Sequence, residues 1–262
     1  MLSKRIISAA VLIPIVGACL YFGGLPFLAL VLAAAVLAAY EFLRMMRVLG
    51  YTPSYALGIA SVVILLVDAQ WPALGILPYA LALIPIVTLS FEVLTGNVPH
   101  ALVRWALTMA LALYLGYLPG LFLRLRMLDN GLNWLIVALL GTWICDSAAY
   151  FVGRAWGRRK LSPNISPKKT WEGAIAGFVA GIATVVGLGA WLLDLPLGWG
   201  LLAGMLLVFG ATVGDLAESV IKRQVGVKDS GQLIPGHGGA LDRIDSLLFV
   251  IPLIHMFALL VG

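Results

Sequence analysis

The sequence predicts an all-α integral membrane protein, a polytopic bundle of about eight or nine transmembrane helices with a functional site at its cytoplasmic edge. Of its 262 residues, 62% are hydrophobic and only 11% are charged. A water-soluble domain carries about 25% charged residues, so this chain lacks the polar surface that water requires. At about 20 residues per crossing, the predicted helices account for most of the chain. Too few residues remain for a separate aqueous domain of any size.

Apolar segments separated by charged residues or by Gly/Pro clusters define the candidate helices. They cover residues 6–21, 25–45, 55–67, 74–89, 102–122, 132–150, 171–193, 199–216 and 246–261. The third is only about two-thirds of a crossing length, so it is a short crossing, a re-entrant segment or a helix packed inside the bundle. Either of the last two would lower the count to eight. Strands of alternating polarity are not evident, which favours helices over a barrel.

We expect one integrated membrane domain with two parts. Residues 1–130 would form a scaffold of transmembrane helices that could include dimer contacts. Residues 131–262 would carry the functional site, because the unusual polar residues concentrate there.

Charge predicts the orientation of the chain. The formal net charge is +5, from 17 Lys and Arg against 12 Asp and Glu. On a membrane protein such an excess typically marks cytoplasmic loops and does not indicate nucleic-acid binding. When loops are assigned alternately to the two sides, most basic residues fall on the side of the N-terminus, and few fall opposite. The N-terminus and both long basic loops are therefore predicted to face the cytoplasm, with the protein in the inner cell membrane.

Ionisable residues at the edges of crossings are costly and are functional candidates. Asp146 lies near the cytoplasmic end of the sixth segment. At the end of the eighth segment, the spacing i, i+3, i+4 and i+7 places four residues on one helical face: Asp215, Glu218, Ser219 and Lys222. This stripe is either part of a site or a solvated helix end.

A second acidic pair precedes the last segment. Asp242 and Asp245 are spaced i, i+3, so they can meet Asp215 if the two helices pack side by side. Carboxylates that lie this near to one another raise each other's pKa unless a cation lies among them. Oxygen ligands suit Mg²⁺. Zinc is not expected, because His237 has no second His or Cys at a ligand spacing.

The segment 228–239 between these acids is rich in glycine. Four of its glycines fall within nine residues and allow backbone N–H groups to turn toward an anion. Positive charge surrounds them, from Lys222, Arg223, Lys228 and Arg243. The pattern indicates a phosphate site or an ordinary interfacial connection. It is not a Walker loop, because the Gly-Lys-Ser/Thr ending is missing.

The other basic loop contains Ser166-Pro167-Lys168-Lys169. Ser followed by Pro predicts a helix N-cap with Pro at the first helical position. A helix N-terminus with two lysines favours a bound phosphate. The alternative is a basic loop attracted to anionic lipid headgroups.

These motifs together resemble those of the phosphatidate cytidylyltransferase family, also called CDP-diacylglycerol synthases. The resemblance is carried by the spacing of Ser219, Lys222, Arg223, Lys228, Asp229, Pro235, His237, Gly238, Gly239, Asp242, Arg243 and Asp245. The block at 166–173 and the segment around Asp146 are also similar to that family. Ala240 departs from it, where a larger aliphatic residue is expected, and this affects packing more than chemistry.

The resemblance implies that CTP and phosphatidic acid are the substrates and that CDP-diacylglycerol and pyrophosphate are the products. It implies Mg²⁺ held by Asp215, Asp242 and Asp245, allows a second, monovalent cation such as K⁺, and suggests a homodimer. The remaining candidates would bind phosphate oxygens or orient the groups that do: Asp146, Lys168, Lys169, Ser219, Lys222, Arg223, Lys228, Asp229, Gly238, Gly239 and Arg243. His237 would either donate to a phosphate or hold the glycine segment.

Two other functions could use the same charges. A lipid kinase, such as one acting on a polyprenol, would transfer the γ-phosphoryl group and release CDP. A transporter would use Asp146 and Asp215 as ion sites near the membrane midplane, usually within repeated halves. The sequence has no internal repeat, and its charges gather at one predicted face, which favours an enzyme.

Overall fold

The computed structural model describes residues 13–231 and 238–261. Within these residues, seven helices are long and apolar enough to cross a membrane, and two shorter apolar helices accompany them. The prediction of a polytopic helical membrane protein is confirmed. The predicted segment 6–21 lies partly outside the described residues.

The elements follow one another along the chain with short connections. They are α1 (Ile13–Phe22), α2 (Gly24–Val48), α3 (Tyr55–Gln70), a 3₁₀ turn (Pro72–Leu74), α4 (Ile76–Thr95), α5 (Ala101–Leu111), a π-helical stretch (Ala112–Tyr117), α6 (Leu118–Met127), α7 (Gly131–Trp156), β1 (Lys160–Ser162), β2 (Ser166–Thr170), α8 (Trp171–Leu193), α9 (Leu197–Val225), α10 (Leu241–Ile244) and α11 (Leu247–Val261).

Two helices run well beyond their predicted ends. The apolar run predicts an end near residue 150 for α7 and near residue 216 for α9, but they end at Trp156 and Val225. Hydropathy marks where a helix leaves the apolar layer, whereas the backbone hydrogen bonds continue into the polar region. Asp146 consequently lies well inside α7, and the polar stripe belongs to one continuous helix.

The chain divides into two compact units. The first comprises residues 1–124 and 225–243, and the second comprises residues 125–224 and 244–262. The glycine-rich segment thus belongs with the N-terminal helices, although it lies late in the sequence. The expected assignment of scaffold and site to residues 1–130 and 131–262 stays a prediction.

Buried ion pairs fix the helices of the first unit. Asp68 on α3 accepts the Leu77 N–H at 2.8 Å and pairs with Arg124 at 2.6 Å. Glu92 on α4 accepts a bond from Arg104 Nε at 2.9 Å. Removing one member of such a pair leaves a buried charge unpaired, which is strongly destabilising. These acids therefore serve the fold.

A row of glycines packs α8 against α7 in the second unit. Gly173, Gly177 and Gly181 recur at every fourth position and face the α7 residues Cys145 and Ala149. A Cβ on Gly177 would lie 2.9 Å from the Cys145 carbonyl oxygen. Small residues at this spacing let helix backbones approach closely within a membrane.

Gly177→Leu is expected to destabilise the second unit by about 1–3 kcal/mol, because the new side chain would overlap the α7 backbone. Thermal unfolding in detergent measures the loss. Gly187→Leu is the matched control on the same helix, since a Cβ there meets nothing within 4 Å. Equal unfolding temperatures for the two variants would contradict this packing.

The predicted helix start at Ser166-Pro167 is wrong. Residues Ser166–Thr170 form β2, which pairs antiparallel with β1 through Lys160↔Thr170 and Ser162↔Ser166. Helix α8 begins at Trp171, and Thr170 is its N-cap, accepting the Gly173 N–H at 3.2 Å. Thr is also a favoured N-cap residue, and here the extended backbone needed for strand pairing takes precedence over the local Ser-Pro signal.

Candidate active site

The polar stripe on α9 forms one face of a single helix, as its spacing predicts. The Ser219 hydroxyl lies 3.4 Å from Asp215 Oδ1, and Lys222 forms an ion pair with Glu218. Glu218 is completely buried, so a solvated helix end does not describe this residue. A buried carboxylate paired with a lysine holds the Lys222 ammonium in place.

The β1–β2 hairpin contacts this stripe. Lys169 Nζ lies 2.8 Å from Asp215 Oδ2, and both side chains are about one-third exposed. Arg223 donates from Nε to the Ile165 carbonyl at 3.1 Å. Two motifs that the sequence separates by more than forty residues therefore meet, and the Lys169 charge lies beside an accessible carboxylate.

Hydrogen bonds join the residues just after α7, where the hairpin begins, to the first residues of α8. Glu172 accepts the backbone N–H groups of Arg158 at 3.1 Å and Arg159 at 3.3 Å. Trp171 donates its N–H to the Arg159 carbonyl at 2.9 Å. Because α8 starts directly after β2, these bonds fix the position of the β2 backbone that carries Lys169.

The backbone of Asp245 packs against α9 at Gly214, the residue before Asp215. Gly214 precedes Asp215, and a Cβ there would lie 2.7 Å from the Asp245 carbonyl oxygen and 3.0 Å from Ser246 Cα. Asp245 Oδ1 accepts the Ser246 N–H at 2.7 Å. The predicted side-by-side packing of these two acidic segments is present in the second unit.

Asp242 organises the glycine-rich segment of the first unit. Its Oδ2 atom accepts the Ser230 N–H at 2.9 Å, the Ser230 hydroxyl at 3.0 Å and the Gly239 N–H at 2.9 Å. Gly238 has a φ of +83°, and a Cβ there would lie 2.8 Å from the same oxygen. These glycines therefore allow the chain to wrap around a carboxylate.

Glu41 is not among the residues predicted for the site. This α2 residue is 2% exposed and contacts Ser230 and the backbone at Ala240 and Leu241. A signal was present, because an acid inside the apolar run 25–45 is costly unless it is paired. The partner segment, about 200 residues further along the chain, has no signal in the sequence.

The other predicted residues are divided between the two units. The second unit contains Asp146 and Lys168, and the first contains Lys228, Asp229 and Arg243; all five are exposed. The interpretation of His237 falls outside the described residues. Among residues 13–231 and 238–261, no group of three His, Cys, Asp or Glu side chains is arranged to hold a metal ion.

An apolar groove of about 350 Å³ lies between α8 and α9. Its lining ends at Thr212 and Val213, directly before Gly214 and Asp215 on α9, and includes Leu161 of β1. The rest of the lining is Trp171, Ala174, Ile175, Phe178, Met205, Val208 and Phe209. The groove is therefore a hydrocarbon-like surface whose lining on α9 ends two residues before Asp215 in the sequence.

A membrane helical bundle that carries accessible carboxylates and basic side chains next to an apolar groove has the features of an enzyme acting on phosphates at a bilayer surface. The chain belongs to the cytidylyltransferase family, whose model matches residues 3–261.

Its relatives include proteins named phosphatidate cytidylyltransferase. That of Pseudomonas aeruginosa is 39% identical over 262 residues, covering 96% of this chain and 95% of the relative. That of Bacillus subtilis is 38% identical over 240 residues, covering 89% and 88%. That of Synechocystis is 36% identical over 298 residues, covering 98% and 97%. The resemblance inferred from the motifs is confirmed.

Proposed function

We propose that this protein transfers the cytidylyl group of CTP to phosphatidic acid, giving CDP-diacylglycerol and pyrophosphate for phospholipid biosynthesis. The observation that carries the proposal is the contact of Lys169 with Asp215 in a chain whose family and relatives are cytidylyltransferases. It joins the two motif blocks on which the resemblance rests.

The groove between α8 and α9 supports a lipid substrate. An acyl chain lying along its apolar lining would place the phosphate headgroup near the turn of α9 that carries Asp215. CTP would reach the same charges from water. The membrane supplies one substrate and the aqueous phase the other, without either crossing the bilayer.

The reaction needs charge neutralisation more than proton transfer. A phosphatidate oxygen attacks the α-phosphorus of CTP in line, the bond to the β-phosphate oxygen breaks, and pyrophosphate leaves. A phosphate monoester is already ionised near neutral pH, so no strong general base is required. Lys169, Lys222 and Arg223 would bind phosphate oxygens and hold the two substrates in line.

Mg²⁺ is the proposed cofactor, and Asp215 and Ser219 fit it best. Their oxygen atoms lie 3.4 Å apart on one helical face, and the Lys169 ammonium at 2.8 Å shows that a positive group is accommodated there. Mg²⁺ commonly takes one or two carboxylates with water and substrate phosphates. Bound Mg²⁺ would neutralise charge on the triphosphate.

The other two predicted metal ligands are partly engaged elsewhere. One oxygen of Asp242 serves Ser230 and Gly239, and one oxygen of Asp245 serves Ser246. We propose that these bonds orient the two carboxylates, whose negative charge contributes to cytidylyl transfer. A second, monovalent cation such as K⁺, a homodimer, and a cytoplasmic orientation of the basic loops in the inner membrane belong to the same proposal.

Ala174→Trp is expected to raise KM for phosphatidate several-fold and leave KM for CTP unchanged, because the indole would fill the groove. Initial rates in mixed micelles measure both constants. Leu201→Trp on α9 is the control, since this exposed residue does not line the groove. A rise in KM for CTP instead would argue against an acyl chain in this groove.

Purified protein incubated with phosphatidate, Mg²⁺ and labelled CTP tests the proposed function. Label from the α-phosphate is expected to enter the lipid phase, and label from the γ-phosphate to leave as pyrophosphate. Transfer of the γ-label to a lipid, with release of CDP, would replace this function by a lipid kinase. Absence of turnover would contradict both.

A further inference from the structure

Glu41 is a buried carboxylate whose hydrogen bonds, within the part of the chain that the structure describes, reach Ser230, Ala240 and Leu241. Its Oε2 atom accepts the Ser230 hydroxyl at 2.8 Å and the Leu241 N–H at 3.0 Å, and Oε1 accepts the Ala240 N–H at 3.0 Å. The side chain is 2% exposed. Backbone donors thus stabilise a charge that burial would otherwise penalise heavily.

The surrounding glycines are shaped to this carboxylate. A Cβ on Gly231 would lie 2.3 Å from Glu41 Oε1, and a Cβ on Gly239 would lie 2.3 Å from Oε2. Neither position accepts a larger residue while Glu41 stays in place. Two glycines that the sequence suggested for phosphate binding are therefore also required by a buried acid on α2.

Ser230 connects Glu41 to Asp242. Its hydroxyl lies 2.8 Å from Glu41 Oε2 and 3.0 Å from Asp242 Oδ2. A hydroxyl carries one proton and donates to one acceptor at a time, so the two carboxylates share this donor. Leu241, which Glu41 binds directly, immediately precedes Asp242. A shift of Glu41 must therefore move Asp242.

We infer that Glu41 is a positioning residue, whose buried carboxylate fixes the backbone at 230 and 239–241 and so sets the position of Asp242 for cytidylyl transfer. This role rests on the proposed function. Glu41 is 2% exposed, and its proposed role does not involve contact with substrate. It acts through Ser230 and the Ala240–Leu241 backbone. Asp68 and Glu92 differ, because each forms an ion pair with an arginine of another helix.

Glu41→Gln tests the inference, because an amide keeps the size but loses the charge and presents a donor to other donors. We expect kcat to fall about 10- to 100-fold, as for other residues that orient a functional group, with KM for CTP changed less. Glu92→Gln is the matched control. It also removes a buried carboxylate from the first unit, and should lower the unfolding temperature while leaving kcat unchanged.

A second variant separates positioning from loss of fold. Ser230→Ala removes the shared donor, and combining it with Glu41→Gln should lower kcat by less than the product of the two single effects. Amide hydrogen exchange at Ala240 and Leu241, measured without substrate, should accelerate in Glu41→Gln. Independent effects on kcat, or unchanged exchange, would overturn the inference.

Turnover by the unmodified protein tests the proposed function, and turnover by Glu41→Gln tests the positioning role. Lack of cytidylyl transfer by the unmodified protein would overturn the proposed function, and the positioning role with it. Wild-type kcat in Glu41→Gln would overturn the positioning role alone.

Discussion

Asp215→Asn is expected to lower kcat by about 10²- to 10³-fold, the range found when one preorganised electrostatic contact to a reacting group is removed. Asp215 is the accessible carboxylate of the α9 stripe, held by Lys169 at 2.8 Å and beside the Ser219 hydroxyl. The amide keeps the shape but loses the charge that binds Lys169 and suits Mg²⁺. Initial rates at several Mg²⁺ concentrations measure the loss.

Asp194→Asn is the matched control for this variant. Asp194 is an exposed residue at the end of α8 with a φ of +51°, a conformation that Asn adopts readily. It should leave kcat unchanged. An Asp215→Asn protein with near-normal kcat at all Mg²⁺ concentrations would remove Asp215 from the site.

Asp242→Asn is expected to lower kcat to a similar extent, about 10²- to 10³-fold, with the fold retained. The amide oxygen of Asn can take the place of Oδ2 and accept the same bonds from Ser230 and Gly239. Only the negative charge is then lost. Turnover and thermal unfolding of one preparation separate the two effects.

Asp68→Asn provides the comparison for Asp242. Asp68 is buried in the same unit and accepts a backbone N–H, but it pairs with Arg124 far from the motif along the chain. We expect it to unfold at a lower temperature with unchanged kcat. If Asp242→Asn behaves in the same way, Asp242 serves the fold alone.

The helical architecture and the α9 stripe were predictable from local signals. Long apolar runs require helices in a bilayer, and the 3.6-residue period alone places Ser219 and Asp215 on one face. The approach of α9 at Gly214 to the backbone of Asp245 also agrees with the spacing, once the two helices are assumed to be adjacent. The Gly214 contact satisfies that assumption.

The hairpin and Glu41 were not predictable, for different reasons. Ser166-Pro167 carries a strong local signal for a helix start, and only pairing with Lys160–Ser162 makes it a strand. Glu41 is recognisable as an acid within an apolar run. The sequence around it does not indicate its partners, which are Ser230, Ala240 and Leu241. The strand depends on pairing with the neighbouring strand β1. The Glu41 cluster depends on a contact between parts of the chain about 200 residues apart.

In the proposed reaction, a phosphatidate oxygen displaces pyrophosphate from the α-phosphorus of CTP. Phosphatidate with ¹⁸O in the headgroup, incubated with unlabelled CTP and the purified protein, tests it most directly by mass spectrometry of both products. We expect CDP-diacylglycerol to keep every ¹⁸O atom and pyrophosphate to contain none. A lipid product that has lost ¹⁸O, or pyrophosphate that has gained it, would contradict the account.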